Sequence, residues 1–285
     1  MLIRSAGITD VGLARTGNED VYSIEDSVGL YIVADGMGGH KAGEVASNIA
    51  VRIVRECYKK FVEEGAGPDE IFGDYDPSLS QLGNYIQGSI RLANRVIYDM
   101  ANQYEQYQGM GTTIALLLVT PTVIIAGNVG DSRIYLIRDD QSEKLSRDHT
   151  VVSEQVEMGM MTMEEAKNSN LRHVLTRNLG SSLDLNVDIY EIEPSNNDRF
   201  LLCTDGLTDL VSDQEILETA REGDDPERIC SELVEMTLKR GAPDNTTVVT
   251  VILSGLESKV PRKAGRKVGS FLSGFIGGVK KPTNR

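Results

Sequence analysis

The run Ile114-Ala115-Leu116-Leu117-Leu118-Val119-Thr120-Pro121-Thr122-Val123-Ile124-Ile125-Ala126-Gly127-Asn128-Val129-Gly130-Asp131-Ser132-Arg133-Ile134-Tyr135-Leu136-Ile137 decides the fold class. It is dense in apolar and β-branched residues, which suit a pleated surface. Only turns separate its strands, and parallel neighbours need a crossover of a dozen or more residues, so a doubly wound parallel sheet does not fit. The expectation is α+β: a mostly antiparallel β-sandwich, with Arg133–Ile137 returning as a hairpin partner of the Val123–Ala126 strand.

Three more apolar runs meet Asp at one end. Leu30–Ala34 leads into Asp35-Gly36, Phe200–Cys203 leads into Thr204-Asp205-Gly206, and Asp244-Asn245 opens Thr246–Leu253. Strands deliver side chains to the rim of a sheet in this way. Between them, Val45, Ala46, Ile49, Ile53, Val54, Cys57 and Phe61 recur at helical spacing, as do Leu82, Tyr85, Ile86, Ile90, Ala93, Ile97 and Met100, predicting two long amphipathic helices. Gly65–Ser80, with its Gly, Pro and Asp, reads as the loop joining them. Shorter helices are expected at Asp213–Ala220 and after Asp224-Asp225-Pro226. Thr150–Thr176 carries the capping-box pattern Thr162-Met163-Glu164-Glu165 and reads as a small helical flap inserted in the β scaffold.

The formal net charge of −14 is uneven: from Gly255 to Arg285, eight basic residues against one acidic carry +7, leaving −21 on the rest. That asymmetry divides the chain into a folded domain, 1–254, and a basic tail, 255–285. The tail reads first as a flexible, solvated extension. Val268, Phe271, Leu272, Phe275, Ile276 and Val279 offer the alternative of an interfacial helix, the one route to membrane contact. The acidic body disfavours nucleic acid. Cys57, Cys203 and Cys230 are odd in number and widely spaced, which suits reduced thiols; with no signal-peptide core at the start, a cytoplasmic monomer is expected.

Asp35, Asp131, Asp205 and Asp244 sit at strand ends beside Gly, Asn or Ser, where a sandwich can gather them on one rim. Gathered carboxylates either take up protons or bind cations, and an all-oxygen site suits Mg²⁺ or Mn²⁺. Zinc has little to bind, since His40, His149 and His173 are scattered and no paired Cys-x-x-Cys occurs. Two ions about 3.5–4 Å apart can activate one bridging water for in-line attack on phosphorus. A cysteine phosphatase needs Arg six positions after its nucleophile, but Glu63, Asp209 and Met236 stand there. Gly36-Met37-Gly38-Gly39 lacks the Gly-Lys pair of a phosphate-binding P-loop.

The ordered motifs Arg15-Thr16-Gly17-Asn18-Glu19-Asp20, Val33-Ala34-Asp35-Gly36-Met37-Gly38-Gly39-His40, Gly111-Thr112-Thr113, Gly127–Arg133, Asp148-His149-Thr150, Leu175–Gly180, Cys203–Leu207 and Asp244–Thr247 resemble the bacterial type 2C (PPM) metal-dependent protein serine/threonine phosphatases. The resemblance runs from about Gly7 to Leu253. It implies two antiparallel sheets flanked by helices (α-β-β-α), Asp35 bridging two ions, the Gly36 carbonyl on one, and Asp205 and Asp244 completing the other. Asp131 with Asp205 would hold a third. Arg15 matches the phosphate-binding arginine, and Glu19 and Asp20 would order water within the metal site. The implied activity is hydrolysis of phosphoserine and phosphothreonine on substrates of Ser/Thr kinases by direct attack of a metal-bridged water. Met37 stands where many eukaryotic members have histidine, so the general acid is open between His40, a metal-bound water and none. Gly111-Thr112-Thr113 reads as closely packed core sheet, and His149 as support for a loop.

Overall fold

Alternation along a single strand, β3 (Leu30–Met37), shows how this chain builds its layers. Leu30, Ile32 and Ala34 enter one apolar cluster while Tyr31 and Val33 enter another, and all five are fully buried. A strand covered on both faces needs a layer on each side. In this computed structural model, which describes residues 1–38, 42–65 and 71–256, that requirement is met by two stacked antiparallel sheets with helices outside each. His40 and the tail beyond Leu256, with the proton-donor and membrane-contact expectations placed on them, lie outside the described residues.

One sheet runs β2 (Asp20–Glu25), β3, β5 (Ile114–Val119), β6 (Ile124–Val129) and β9 (Asp188–Ile192), with the short β4 (Gly111–Thr112) paired to the end of β3. The other runs β1 (Leu2–Asp10), β11 (Thr246–Ser254), β10 (Arg199–Cys203), β7 (Arg133–Arg138) and β8 (Gln141–Lys144). Helices α1 (Ala42–Glu64) and α2 (Gln81–Gln103) cover the first sheet, burying Ala46, Ala50, Val54, Ile86, Ile90 and Ile97 against it. Their periodicity was legible, and Ser80 starts α2 by accepting the Gly83 N–H. The flap contributes α3 (Val151–Glu157) and α4 (Met163–Lys167), the latter closed by the expected capping box at Thr162 and Glu165. After the one-turn α5 (Asp205–Thr208), helices α6 (Asp213–Glu222) and α7 (Pro226–Lys239) cover the second sheet through Ile216, Ile229 and Leu233.

The hairpin expected from Val123–Ile137 does not form. β6 pairs with β5 and β9, whereas β7 pairs with β10 and β8 in the opposite sheet. Gly130 takes φ +101 at the crossing, where a side-chain carbon would also collide with Thr113. The run is consecutive β-structure as read, but its last strand serves the other layer. This crossing lifts Asp131 to the rim. Deleting a side chain from the shared middle layer, as in Leu117→Ala, would leave a cavity costing about 2–5 kcal/mol.

Candidate active site

Register brings the first two acids together: in the β2–β3 ladder Asp20 stands directly opposite Asp35. Along its other edge β3 continues past Asp35 in the register of β5, pairing Gly36 and Met37 with β4. Threonines fix the Asp35 backbone. Thr113 donates its N–H to the Asp35 carbonyl at 2.9 Å, Thr112 donates its hydroxyl to the same carbonyl at 2.9 Å, and the Asp35 N–H donates to Thr113 Oγ1 at 2.9 Å. Gly36 is obligatory next door, since any Cβ would meet the carbonyls of Gly43 and Glu19.

The remaining acids arrive from the other sheet. Asp205 follows the end of β10 and opens α5, Asp244 precedes β11, and Asp131 lies in the crossing from β6 to β7. Asp35 and Asp205 are within hydrogen-bonding reach of each other, and Asp20 and Asp131 also act on Asp35. Asp244 completes the ring beside Asp20, Glu19 and Arg15. Every acid predicted from the sequence is therefore on one rim, with Arg15 at its mouth donating from Nη2 to Asp244 Oδ2 at 2.8 Å.

The electrostatics are those of a site short of positive charge. Asp20, 6% exposed, is pushed up to about 7, first by burial and then by Asp205 and Asp244, against the donors Thr247 and Thr204. Asp131 is pushed up to about 8 by enclosure, then by Asp205 and Asp148. Asp35 is raised well above the ordinary carboxylate range by loss of water and by its acidic neighbours, and Glu19 is raised by burial against the pull of Arg15. Like charges this close either share protons or share a cation.

Two oxygens test whether a cation fits. Asp20 Oδ2 accepts from Thr204 Oγ1 at 2.9 Å and Thr247 Oγ1 at 2.7 Å, but its Oδ1 is buried with no hydrogen-bond partner among the described residues, as is Glu19 Oε1. A buried acceptor left without a donor is costly, and hard cations with their ordered water satisfy such oxygens. The donor set is all oxygen, so the residues present fit Mg²⁺ or Mn²⁺.

Several participants were not singled out from the sequence. Thr204 and Thr247 hold Asp20 across the two sheets, and Asn245 accepts the Glu19 N–H at 2.9 Å while donating to the Val11 and Gly17 carbonyls at 3.0 Å. They stood inside recognised motifs, but only strand register reveals what they touch. His173 of the flap, one of the three histidines scattered through the sequence, lies with Nδ1 3.7 Å from Asp205 Oδ2 and Nε2 3.6 Å from Asp209 Oδ2, and is raised by Asp205 first and then Asp209.

Relatives share both sequence and fold. The serine/threonine phosphatase stp of Listeria innocua is 32% identical over 250 residues, covering 85% of this chain and 93% of that one. The crystal structure of the Mycobacterium tuberculosis serine/threonine phosphatase PstP/Ppp superposes with TM-score 0.77 at 32% identity, covering 90% of this chain and all of that one. The catalytic domain of the serine threonine protein phosphatase PstP, solved in complex with two manganese ions, superposes with TM-score 0.74 at 32% identity over 89% of this chain and 99% of that one. The sequence model of the family Protein phosphatase 2C matches residues 9–246, and with the α-β-β-α sandwich and its rim of aspartates this chain belongs to that family.

Proposed function

We propose that this chain is a divalent-cation-dependent protein phosphatase that hydrolyses phosphoserine and phosphothreonine on proteins and so counteracts Ser/Thr protein kinases. The observation that carries the reading is the ring of Asp20, Asp35, Asp131, Asp205 and Asp244 on one rim, with buried carboxylate oxygens that no donor among the described residues satisfies. Asp35, the Gly36 carbonyl, Asp205 and Asp244 would hold two ions, Asp131 with Asp205 a third, and Glu19 and Asp20 the water around them. The two manganese ions in the PstP catalytic domain support Mn²⁺, with Mg²⁺ as the alternative hard cation. When bound, such ions supply Lewis acidity that activates water near neutral pH and charge that offsets the charge developing on the phosphoryl group.

The chain's own residues bind and orient. Arg15 is 52% exposed at the side chain, and its planar fork can exchange one contact with Asp244 for two with phosphate oxygens. Thr112 and Thr113 hold the Asp35 backbone, so its carboxylate is presented from a fixed strand end and not from a loose loop. Thr204 and Thr247 engage only one oxygen of Asp20 and leave the other for the site. The substrates are phosphorylated proteins, and the net charge of −14 disfavours nucleic acid. Action as a cytoplasmic monomer is part of the proposal: all three cysteines are free thiols, in keeping with a reducing compartment, and no described helix is long and apolar enough to cross a membrane.

Phosphate release from a phosphoserine peptide tests the reading. Activity should appear with Mn²⁺, stop with a chelator, and be lost in Asp205→Asn and Asp244→Asn while circular dichroism shows the fold intact. Sustained turnover by chelator-treated protein would overturn it.

A further inference from the structure

Asp131 rides on a three-residue crossing between sheets, Gly130–Ser132, and belongs to no strand or helix. Ser132 Oγ shares a 2.7 Å hydrogen bond with Thr113 Oγ1 on one side of it, and on the other side His149 holds Gly130. The Gly130 N–H donates to His149 Nδ1 at 3.0 Å, and the His149 N–H donates to the Gly130 carbonyl at 3.0 Å. The imidazole is 1% exposed. Because Nδ1 accepts a backbone N–H, the ring proton sits on Nε2, and there Asp188 Oδ2 lies 3.1 Å away. The other oxygen of Asp188 accepts from Arg177 Nη1 at 3.1 Å.

The same residue anchors the flap. His149 immediately precedes the flap's first helix, α3, with only the N-cap Thr150 between, and its carbonyl accepts the N–H of Thr176 at 2.8 Å, where the flap returns. One turn outward, the Val151 N–H donates to the Val174 carbonyl at 2.9 Å. His149 therefore joins three things: its ring holds Gly130, next to Asp131, and reaches the first residue of β9 at Asp188, while its main chain ties the two feet of the flap.

We infer that His149 is a positioning residue that ties the Asp131 carboxylate to the seating of the flap, so that the affinity of the Asp131 position for a divalent cation depends on the His149–Asp188–Arg177 strut. The inference rests on the cation reading of Asp131 given above. The imidazole touches no reacting atom; it acts through Gly130, one residue before Asp131. A substrate protein that displaces the flap would move both feet and, through the ring, the carboxylate at the rim.

Calorimetric titration of the metal-free full-length protein with Mn²⁺ tests this without reference to turnover. Asp131→Asn should lose one class of bound ion that the unaltered protein shows. His149→Ala should weaken that same class about 10–100-fold, as loss of a supporting hydrogen bond does at metal sites. His149→Asn, whose Oδ1 can take the Gly130 N–H in place of Nδ1, should recover most of the affinity. Asp188→Ala, which keeps the ring but frees its Nε2–H, should weaken it less than His149→Ala does. Asp198→Asn, remote from the rim, controls for lost stability and should leave the titration unchanged. Unaltered ion affinity in both His149→Ala and Asp188→Ala overturns the inference. If His149→Ala does not fold, unaltered affinity in Asp188→Ala alone overturns it. Should Asp131→Asn bind as the unaltered protein does, the cation reading beneath the inference falls first, and that result is told apart because it does not involve His149.

Discussion

Asp20 and Asp198 are both buried aspartates, 6% and 0% exposed, and they solve the same problem in opposite ways. Asp198 sits just before β10, at the end of the sheet far from the rim. Arg138 grips it with two donors, Nε to Oδ1 at 2.6 Å and Nη2 to Oδ2 at 2.7 Å, and the Ser195 N–H adds a third at 2.7 Å. Asp20 has two threonine hydroxyls on one oxygen, no donor among the described residues on the other, and acidic neighbours besides. A buried carboxylate matched by an arginine fork is part of the scaffold, because nothing remains for it to bind. One left unmatched among other acids is held for a ligand. The same strand, β10, leads to both settings, with Asp198, held by an arginine, before its first residue and Asp205, set among other acids, two residues beyond its last.

Substitution by asparagine separates the two ends most sharply. Asp35→Asn and Asp205→Asn should each lower kcat on a phosphoserine peptide by about a hundredfold to a thousandfold or more, whereas Asp198→Asn should leave kcat within a factor of about two. Stability should move the other way. Asp198→Asn strands the Arg138 guanidinium and should cost about 2–4 kcal/mol in denaturant unfolding. Equal losses of activity at both ends would break the contrast.

Arg15→Ala should raise KM about tenfold with a smaller effect on kcat, since the guanidinium contributes charge-assisted hydrogen bonds to the phosphate at an open rim. A fall in kcat with KM unchanged would instead place Arg15 in the chemical step. The pH dependence carries a definite sign. Asp20 and Asp131 titrate at about 7 and about 8 in the fold, against an ordinary value of 3.8, so the folded state holds more protons across that window. Metal-free protein should therefore lose stability as pH rises from about 4 to about 8, and Mn²⁺ should restore most at the upper end. Thermal melts at pH 5.5 and 8.5 with and without Mn²⁺ measure this; a stabilisation by Mn²⁺ that shrinks with rising pH would contradict it. The smallest effect expected is a gain: in chelator, Asp35→Asn should stabilise the fold by on the order of 1 kcal/mol, because it removes one member of a repelling set.

What the sequence alone determined is local in kind. Helical spacing in Val45–Phe61 and Leu82–Met100, the Thr162 capping box, Pro226 at a helix start and Asp at the ends of apolar runs each follow from the conformational preferences of a few neighbouring residues. Asp35, Asp131, Asp205 and Asp244 stood out for the same reason, each beside its own turn, while Arg15 was singled out through the resemblance of the ordered motifs. Tertiary structure alone decided which sheet β7 would join, because Arg133–Ile137 is equally apolar in either layer and only Gly130 and the packing of both faces choose. It also decided that Thr204 and Thr247 would grip Asp20, that Asn245 would hold Glu19, and that His149 would stand between Asp131 and the flap. Those contacts join residues tens to hundreds of positions apart, and a hydrogen bond, unlike a helical turn, leaves no period in the chain for a reader to follow.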